Sequence, residues 1–240
     1  MDKVNGSRTE LHTAPGVVSM NMNRRHFVGA AIAMSAGAST ALLAKSSPAP
    51  LPAAAPAPLP ATVPAAPAQA AMPPLLQKAM ASLNSHGSYI ARRDRIGLID
   101  FSLPSRQPRF QLIDLENGRV ERTLLVAHGK GSDLSNTGYV QQFSNMPGSD
   151  ASSRGAYCTA NRYYGKHGAS QRLIGLDATN NAALERAIVI HAASYVDPDV
   201  ASARGRIGRS WGCFALNDAE VEPTMDWLGE GRMIYADKVA

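Results

Sequence analysis

The chain has 240 residues, 24 Lys/Arg against 19 Asp/Glu, a formal net charge of +5 and two cysteines. Five of the basic and two of the acidic residues fall in 1–74, which leaves 75–240 at only +2, so charge gives no support to nucleic-acid binding. Ten of the 16 prolines lie between Pro48 and Pro74 among alanines. That composition excludes a packed core there and leaves 75–240 as the folding unit, long enough for one hydrophobic core.

Residues 1–22 are polar and unpatterned, and Met20 and Met22 offer internal starts. They read as an untranslated or disordered extension. Residues 23–44 open on Asn23-Arg24-Arg25-His26-Phe27 and continue as an apolar, small-residue run from Ala30 to Ala44. Paired arginines before a weakly hydrophobic run read as a twin-arginine export signal. The run is too rich in Gly, Ala, Ser and Thr for a good membrane span. Cleavage falls after Ala41 or Ala44, and no cysteine follows, which argues against a lipid anchor. The expected location is the periplasm or cell envelope, with membrane contact only in passing during export. Residues 45–74 read as a Pro/Ala-rich linker that extends to roughly 80 Å as polyproline II.

Leu75 to Leu83 has helical spacing and ends near Asn84–Gly87. Strand patterns follow at Ile96–Phe101, Arg109–Leu115 and Val120–Ala127, the last two joined by an Asn117-Gly118 turn. Gly138–Phe143, Gly155–Tyr164 and Arg172–Leu176 read as further strands. Asn180 caps a short helix to Arg186, and Ala187–Ala192 is apolar enough for a buried central strand. Ser194–Gly208 reads as a long loop, Asp218 caps a helix through Leu228, and Arg232–Ala236 closes as a strand. Strand alternation with tight turns predicts a mostly β domain with few short helices and an antiparallel sheet.

The chemistry converges on Gly208-Arg209-Ser210-Trp211-Gly212-Cys213, with His191 ending the apolar run 22 positions earlier. A thiol near an imidazole is a candidate nucleophile and base. Gly212 permits close backbone approach, and the Gly212 and Cys213 amides are candidate oxyanion donors. An equally open reading pairs Cys213 with Cys158 in a disulfide, which export permits. A zinc site from His128, His167 and His191 lacks close ligand spacing.

The segments Ala127-His128-Gly129-Lys130-Gly131-Ser132, Phe143-Ser144-Asn145, Gly175-Leu176, Ile188–His191 and Gly208–Cys213 carry a resemblance. From about Ile96 to Tyr235 the chain resembles the L,D-transpeptidase catalytic-domain superfamily, known as YkuD-like, and most closely its murein L,D-transpeptidase branch. The resemblance implies that fold for 75–240. It implies Cys213 as nucleophile and His191 as base, oriented by the carbonyl of Ala192 or Ala193, with Ser210 and Gly212 shaping the turn. It implies peptidoglycan stem peptides as substrate, cross-linked 3→3 through a Cys213 thioester, with no metal or cofactor. Water as acceptor would make the activity an L,D-carboxypeptidase, and a non-catalytic cell-wall module is the remaining alternative. Carbapenem acylation of the thiol is the corresponding covalent probe. Trp211 and Ala215 depart from the superfamily, which usually has a histidine and a polar residue there; Phe214 stands where the branch often has proline.

Arg204, Arg206 and Arg209 cluster ahead of the thiol, and arginine recognises carboxylates bidentately. Arg209, Trp211 and His128 are the candidate substrate contacts. Structural roles stand beside these: a hydrogen-bonded buried histidine, a solvated basic loop and a core tryptophan. Tyr163-Tyr164 reads as sheet packing.

Overall fold

In the computed structural model, residues 72–239 are described. The predicted extension, export signal and most of the linker lie outside them, and among the described residues no helix is long and apolar enough to cross a membrane.

Pro73 precedes helix α1 (Pro74–Ser85), whose own first residue is a proline, a position where the missing N–H costs no helix hydrogen bond. Leu75, Ala79 and Leu83 recur at fourfold spacing and form its buried stripe. Strands β1 (Arg95–Asp100), β2 (Phe110–Asp114) and β3 (Arg119–Leu124) then form an antiparallel meander. The Asn117-Gly118 turn is as expected: Gly118 has φ 67°, and the Asp114 carboxylate accepts the Glu116 and Asn117 amides. β4 (Gly155–Gly165) and β5 (Gly168–Gly175) form a long hairpin. β6 (Val189–Ala192), helix α2 (Pro198–Arg204), β7 (Phe214–Leu216), helix α3 (Asp218–Leu228) and β8 (Met233–Asp237) complete the domain.

The eight strands make one sheet in the order β3-β2-β1-β8-β4-β5-β6-β7. Side chains alternate across it with period two. On one face Ile96, Leu98, Ala156, Cys158, Met233 and Tyr235 pack with the α1 stripe. On the other, Ile99, Tyr157, Ile234 and Ala236 join Val221, Met225 and Leu228 of α3. Burying both faces explains why β8 is buried at all five positions. Gly97 makes room for a ring: a Cβ there would stand 2.7 Å from Phe110 Cε2.

Several expectations are corrected. The sheet is mixed, because β1–β8 and β6–β7 pair in parallel. β6 is buried and flanked on both sides but lies next to the β7 edge, not at the centre. Gly138–Phe143 is not a strand; its amides serve local acceptors, Gly138 to the Asp133 carboxylate and Gln141 to the Ser132 carbonyl. Asn180–Arg186 is a series of turns, because Asn180 is buried and its side chain ties Asp177 N–H to Ala156 O instead of capping a helix. The supposed loop 194–208 contains α2, capped by the Asp197 carboxylate and stopped by Gly205 in the left-handed region. β7 follows the thiol and was not foreseen as a strand.

Candidate active site

Cys213 sits at the entry to β7, against the start of β6. Its Sγ lies 3.6 Å from Ala187 O, and the Val189 amide is directed at it. His191 is two residues further along β6, one side-chain repeat away. The His191 Nδ1 contacts Ala192 O at 2.8 Å. A carbonyl only accepts, so Nδ1 carries the proton and Nε2 is left as the basic nitrogen. Of the two carbonyls expected to orient this ring, Ala192 is the one that does.

The turn that leads into Cys213 is held by one serine. Ser210 Oγ donates to Cys213 O at 2.7 Å and accepts the Gly212 amide at 3.2 Å, while its backbone bridges to Gly129. This corrects the expected pair of oxyanion amides: the Gly212 amide is engaged by Ser210, which leaves the Cys213 amide. Gly212 has φ 114°, and a Cβ there would stand 2.8 Å from both Ala151 O and Ile188 Cδ1. Gly212→Ala is therefore expected to strain the turn by about 2 kcal/mol or more and to slow thiol alkylation by iodoacetamide; an unchanged rate and melting temperature would contradict this.

The His-Gly-Lys-Gly-Ser segment acts through its backbone. A Cβ at Gly131 would lie 1.9 Å from Ser149 O, and one at Gly129 2.3 Å from Asp150 O. These glycines let 129–131 lie against the 149–151 loop and the thiol turn. Ser152 bonds both sides, accepting Gly129 N–H and donating to Gly212 O.

The ring of His128 is fully buried, so the expectation that it meets substrate is corrected. Arg109 Nη2 donates to its Nδ1 at 2.7 Å, which puts the ring proton on Nε2, facing Asp133 Oδ2 at 3.4 Å. Burial and then the Arg109 charge push His128 down to about 4, so it is neutral at ordinary pH. Trp211, by contrast, is not core: it is 69% exposed, with Lys130 Nζ 4.4 Å above its ring. Tyr164 is exposed rather than packed in the sheet, and Arg172 stacks on Tyr163 at 4.3 Å. Arg209 reaches Asp133 O and lines a cleft of about 220 Å³ with Arg204, Arg206 and Lys130. Among the described residues no cluster of metal-ligating side chains occurs.

Both cysteines are free thiols, which overturns the disulfide. Cys158 on β4 is separated from β7 by β5 and β6, three strand spacings or about 14 Å, beyond disulfide reach.

Two residues of the site had no expected part in it, His167 having entered only in the zinc alternative. Arg186 is fixed by the carbonyls of Ser144 and Ala151, at 2.8 and 2.5 Å, and its charge acts on Cys213. His167, at the β4–β5 hairpin tip, stacks on His191 with ring centroids 4.4 Å apart. Neither has a local sequence signal beyond its residue type. Together His167, His191, Ala192–Tyr195 and Asp218 line a cleft of about 350 Å³.

Burial raises the Cys213 pKa, opposed by the Val189 amide, Arg186 and its own amide. Burial lowers that of His191, opposed by Ala192 O and reinforced by His167. Tyr195, lining the same cleft, is pushed up to about 12 by burial and then by the thiol's charge. At neutral pH Cys213 therefore rests as the thiol and His191 as the neutral imidazole.

No curated protein matches the chain. Similar solved structures include an L,D-transpeptidase from Mycobacterium smegmatis, 14% identical over 60% of this chain and 58% of that one, with a TM-score of 0.36. Mycobacterium tuberculosis L,D-transpeptidase 1 is 15% identical over 59% of this chain and 60% of that one, with a TM-score of 0.34. M. tuberculosis L,D-transpeptidase 3, in complex with a faropenem-derived adduct, is 13% identical over 60% of each chain, with a TM-score of 0.38. The match spans less than two thirds of the length of each of these structures. A family model described as the L,D-transpeptidase catalytic domain matches residues 68–236, well over half of the sequence. The chain belongs to the L,D-transpeptidase catalytic domain family.

Proposed function

We propose that the chain is an exported L,D-transpeptidase that acts on peptidoglycan stem tetrapeptides through a Cys213 thioester. The observation that carries this reading is the fixed tautomer of His191, which leaves Nε2 as the basic nitrogen one side-chain repeat along β6 from Val189, whose amide is directed at the Cys213 thiol. His191 Nε2 takes the thiol proton as Cys213 Sγ attacks the carbonyl preceding the terminal D-alanine. The Cys213 amide faces the developing oxyanion, and Arg186 lends positive charge from the side. The C–N bond breaks, the imidazolium returns its proton to the leaving amine, and D-alanine departs. The amine of a second stem then attacks the thioester, losing its proton to His191, and releases Cys213 with a 3→3 cross-link.

Export rests on Arg24-Arg25 and the run behind them, and places the activity in the periplasm or cell envelope, tethered or spaced by residues 45–74. Purified tetrapeptide muropeptides are the test. Released D-alanine with a dimeric product supports cross-linking. D-Alanine with monomeric tripeptide alone reassigns the activity to a carboxypeptidase, and no D-alanine removes the enzyme reading.

A base lowered from 6.5 sets the pH profile. His191 must be neutral to act, so the acid limb of carbapenem acylation is expected below pH 6.5. His167→Phe keeps a stacked ring but removes a neighbouring charge, which raises the His191 pKa and moves the limb upward. Asp218 and Tyr195, the other ionisable groups of that cleft, are unchanged in this variant. A limb that stays in place would reduce the stack to packing.

A further inference from the structure

Four cations gather at one cleft with almost no counter-charge. Lys130, Arg204, Arg206 and Arg209, with Asn136, Ile207 and Gly208, line the 220 Å³ cleft, and no carboxylate is among its walls. Of the four, only Lys130 has an ion-pair partner among the described residues, Asp150 at 3.2 Å. Like charges gathered around one hollow repel, and an anionic ligand relieves them.

We propose that this cleft is a carboxylate-binding subsite that selects stem peptides with free, rather than amidated, carboxylates. The proposal rests on the stem-peptide reading above and specifies which stems the site accepts.

Three of the cations are held in place before any ligand arrives. Arg209 Nη1 donates to Asp133 O, and Arg206 Nη1 donates to Arg204 O at 3.3 Å. Gly205, at φ 65°, stops α2 and turns the chain back, so that Arg206 packs on Gly138. A Cβ on Gly138 would stand only 3.0 Å from Arg206 Cβ. Lys130 is stationed between Asp150 and the ring of Trp211. Ordering these long side chains in advance lowers the entropy lost on binding.

Position ties the cleft to the reaction. Its wall residues Gly208 and Arg209 run straight into Ser210, which is bridged to Gly129 beside Lys130. A peptide with its reacting carbonyl at Cys213 would pass the exposed face of Trp211 with its carboxylates toward the cations. The volume suits a carboxylate and a few carbons, and guanidinium forks match the two oxygens.

The test uses the full chain under reducing conditions and two synthetic tetrapeptide stems, one with free carboxylates and one amidated. The readout is kcat/KM for D-alanine release. Wild type is expected to lose about tenfold or more on amidation, the size of one charge-assisted hydrogen-bond pair. The double variant R204Q/R206Q should show that loss already with the free stem, carried mainly by KM, and no further loss on amidation. Equal rates on both stems in wild type, or undiminished discrimination in the variant, would overturn the subsite while leaving the transpeptidase reading intact. No release from either stem would remove that reading and the subsite with it. Competition by inorganic pyrophosphate where succinate does not compete would reassign the cleft to phosphate groups.

Discussion

Cys213→Ala is expected to abolish covalent labelling by a carbapenem, while the reduced wild-type chain gains the mass of one equivalent. The other thiol cannot substitute: Cys158 is buried in the α1 face of the sheet, its Sγ turned to Tyr89 O and Thr159 O, and burial raises its pKa. A single cysteine therefore accounts for the whole signal. His191→Ala should retain the thiol but slow labelling by about 10²–10⁴-fold at neutral pH, the usual worth of a positioned base. The raised pKa of Cys213 strengthens this expectation, because a thiol that is mostly protonated depends on proton removal during attack. Intact mass and time courses check both variants. An adduct that survives Cys213→Ala would move the nucleophile elsewhere, and a His191→Ala variant as fast as wild type would mean that the thiol acts without this base.

The second large effect is on stability and comes from the buried Arg109–His128–Asp133 chain. Asp133 accepts the Thr137 and Gly138 amides, the Thr137 hydroxyl and the Gln141 amide, and faces His128. Burial alone would raise its pKa, but these donors more than offset it and hold the carboxylate ionised. Arg109 is pulled down to about 9 by burial and still carries its charge at neutral pH. Asp133→Ala should cost about 3–5 kcal/mol, because it leaves several buried donors without their acceptor and removes one of the two carboxylates, with Asp100, whose charge supports the buried Arg109. Acid should act on the same group. An unfolded histidine titrates near 6.5 and folded His128 at about 4, so the unfolded chain takes up the proton first. This contribution is full above pH 6.5, declines as pH falls, and levels off below about 4, a total of about 3 kcal/mol. Chemical denaturation between pH 7 and 4.5 checks it, with His128→Gln as the comparison. An equally steep decline in that variant would assign the acid sensitivity to other groups.

Much of the scaffold was legible because its pattern is local. The Leu75/Ala79/Leu83 stripe, the Asn117-Gly118 turn and the alternation of β1, β2 and β8 each encode their element within a few residues. The candidate thiol and imidazole were legible as residue types in an unusual setting. The parallel pairing of β1 with β8 was not, since Ile96 and Met233 meet across more than half the chain. Gly138–Phe143 misled because its strand-like pattern does not reveal that Asp133 would claim its amides. α2 has ordinary start and stop signals in Asp197-Pro198 and Gly205, but at seven residues it is too short to show a helical period. Trp211 has the size of a core residue, yet it lies exposed with Lys130 over its ring. Arg186 and His167 could be found only once the Ser144–Ala151 loop and the β4–β5 hairpin had been folded over the site.

The place of β8 bears on how the molecule is made. It is the eighth strand along the chain, yet within the sheet it stands between β1 and β4 and joins the β3-β2-β1 meander to the β4-β5-β6-β7 half. The sheet is not continuous beneath α1 or α3 until Met233–Asp237 is in place. Closing the sheet therefore depends on pairings far apart in sequence, with two sheet edges waiting for the same five residues. A chain ending a few residues short would be left as two open half-sheets and would be prone to aggregate through them.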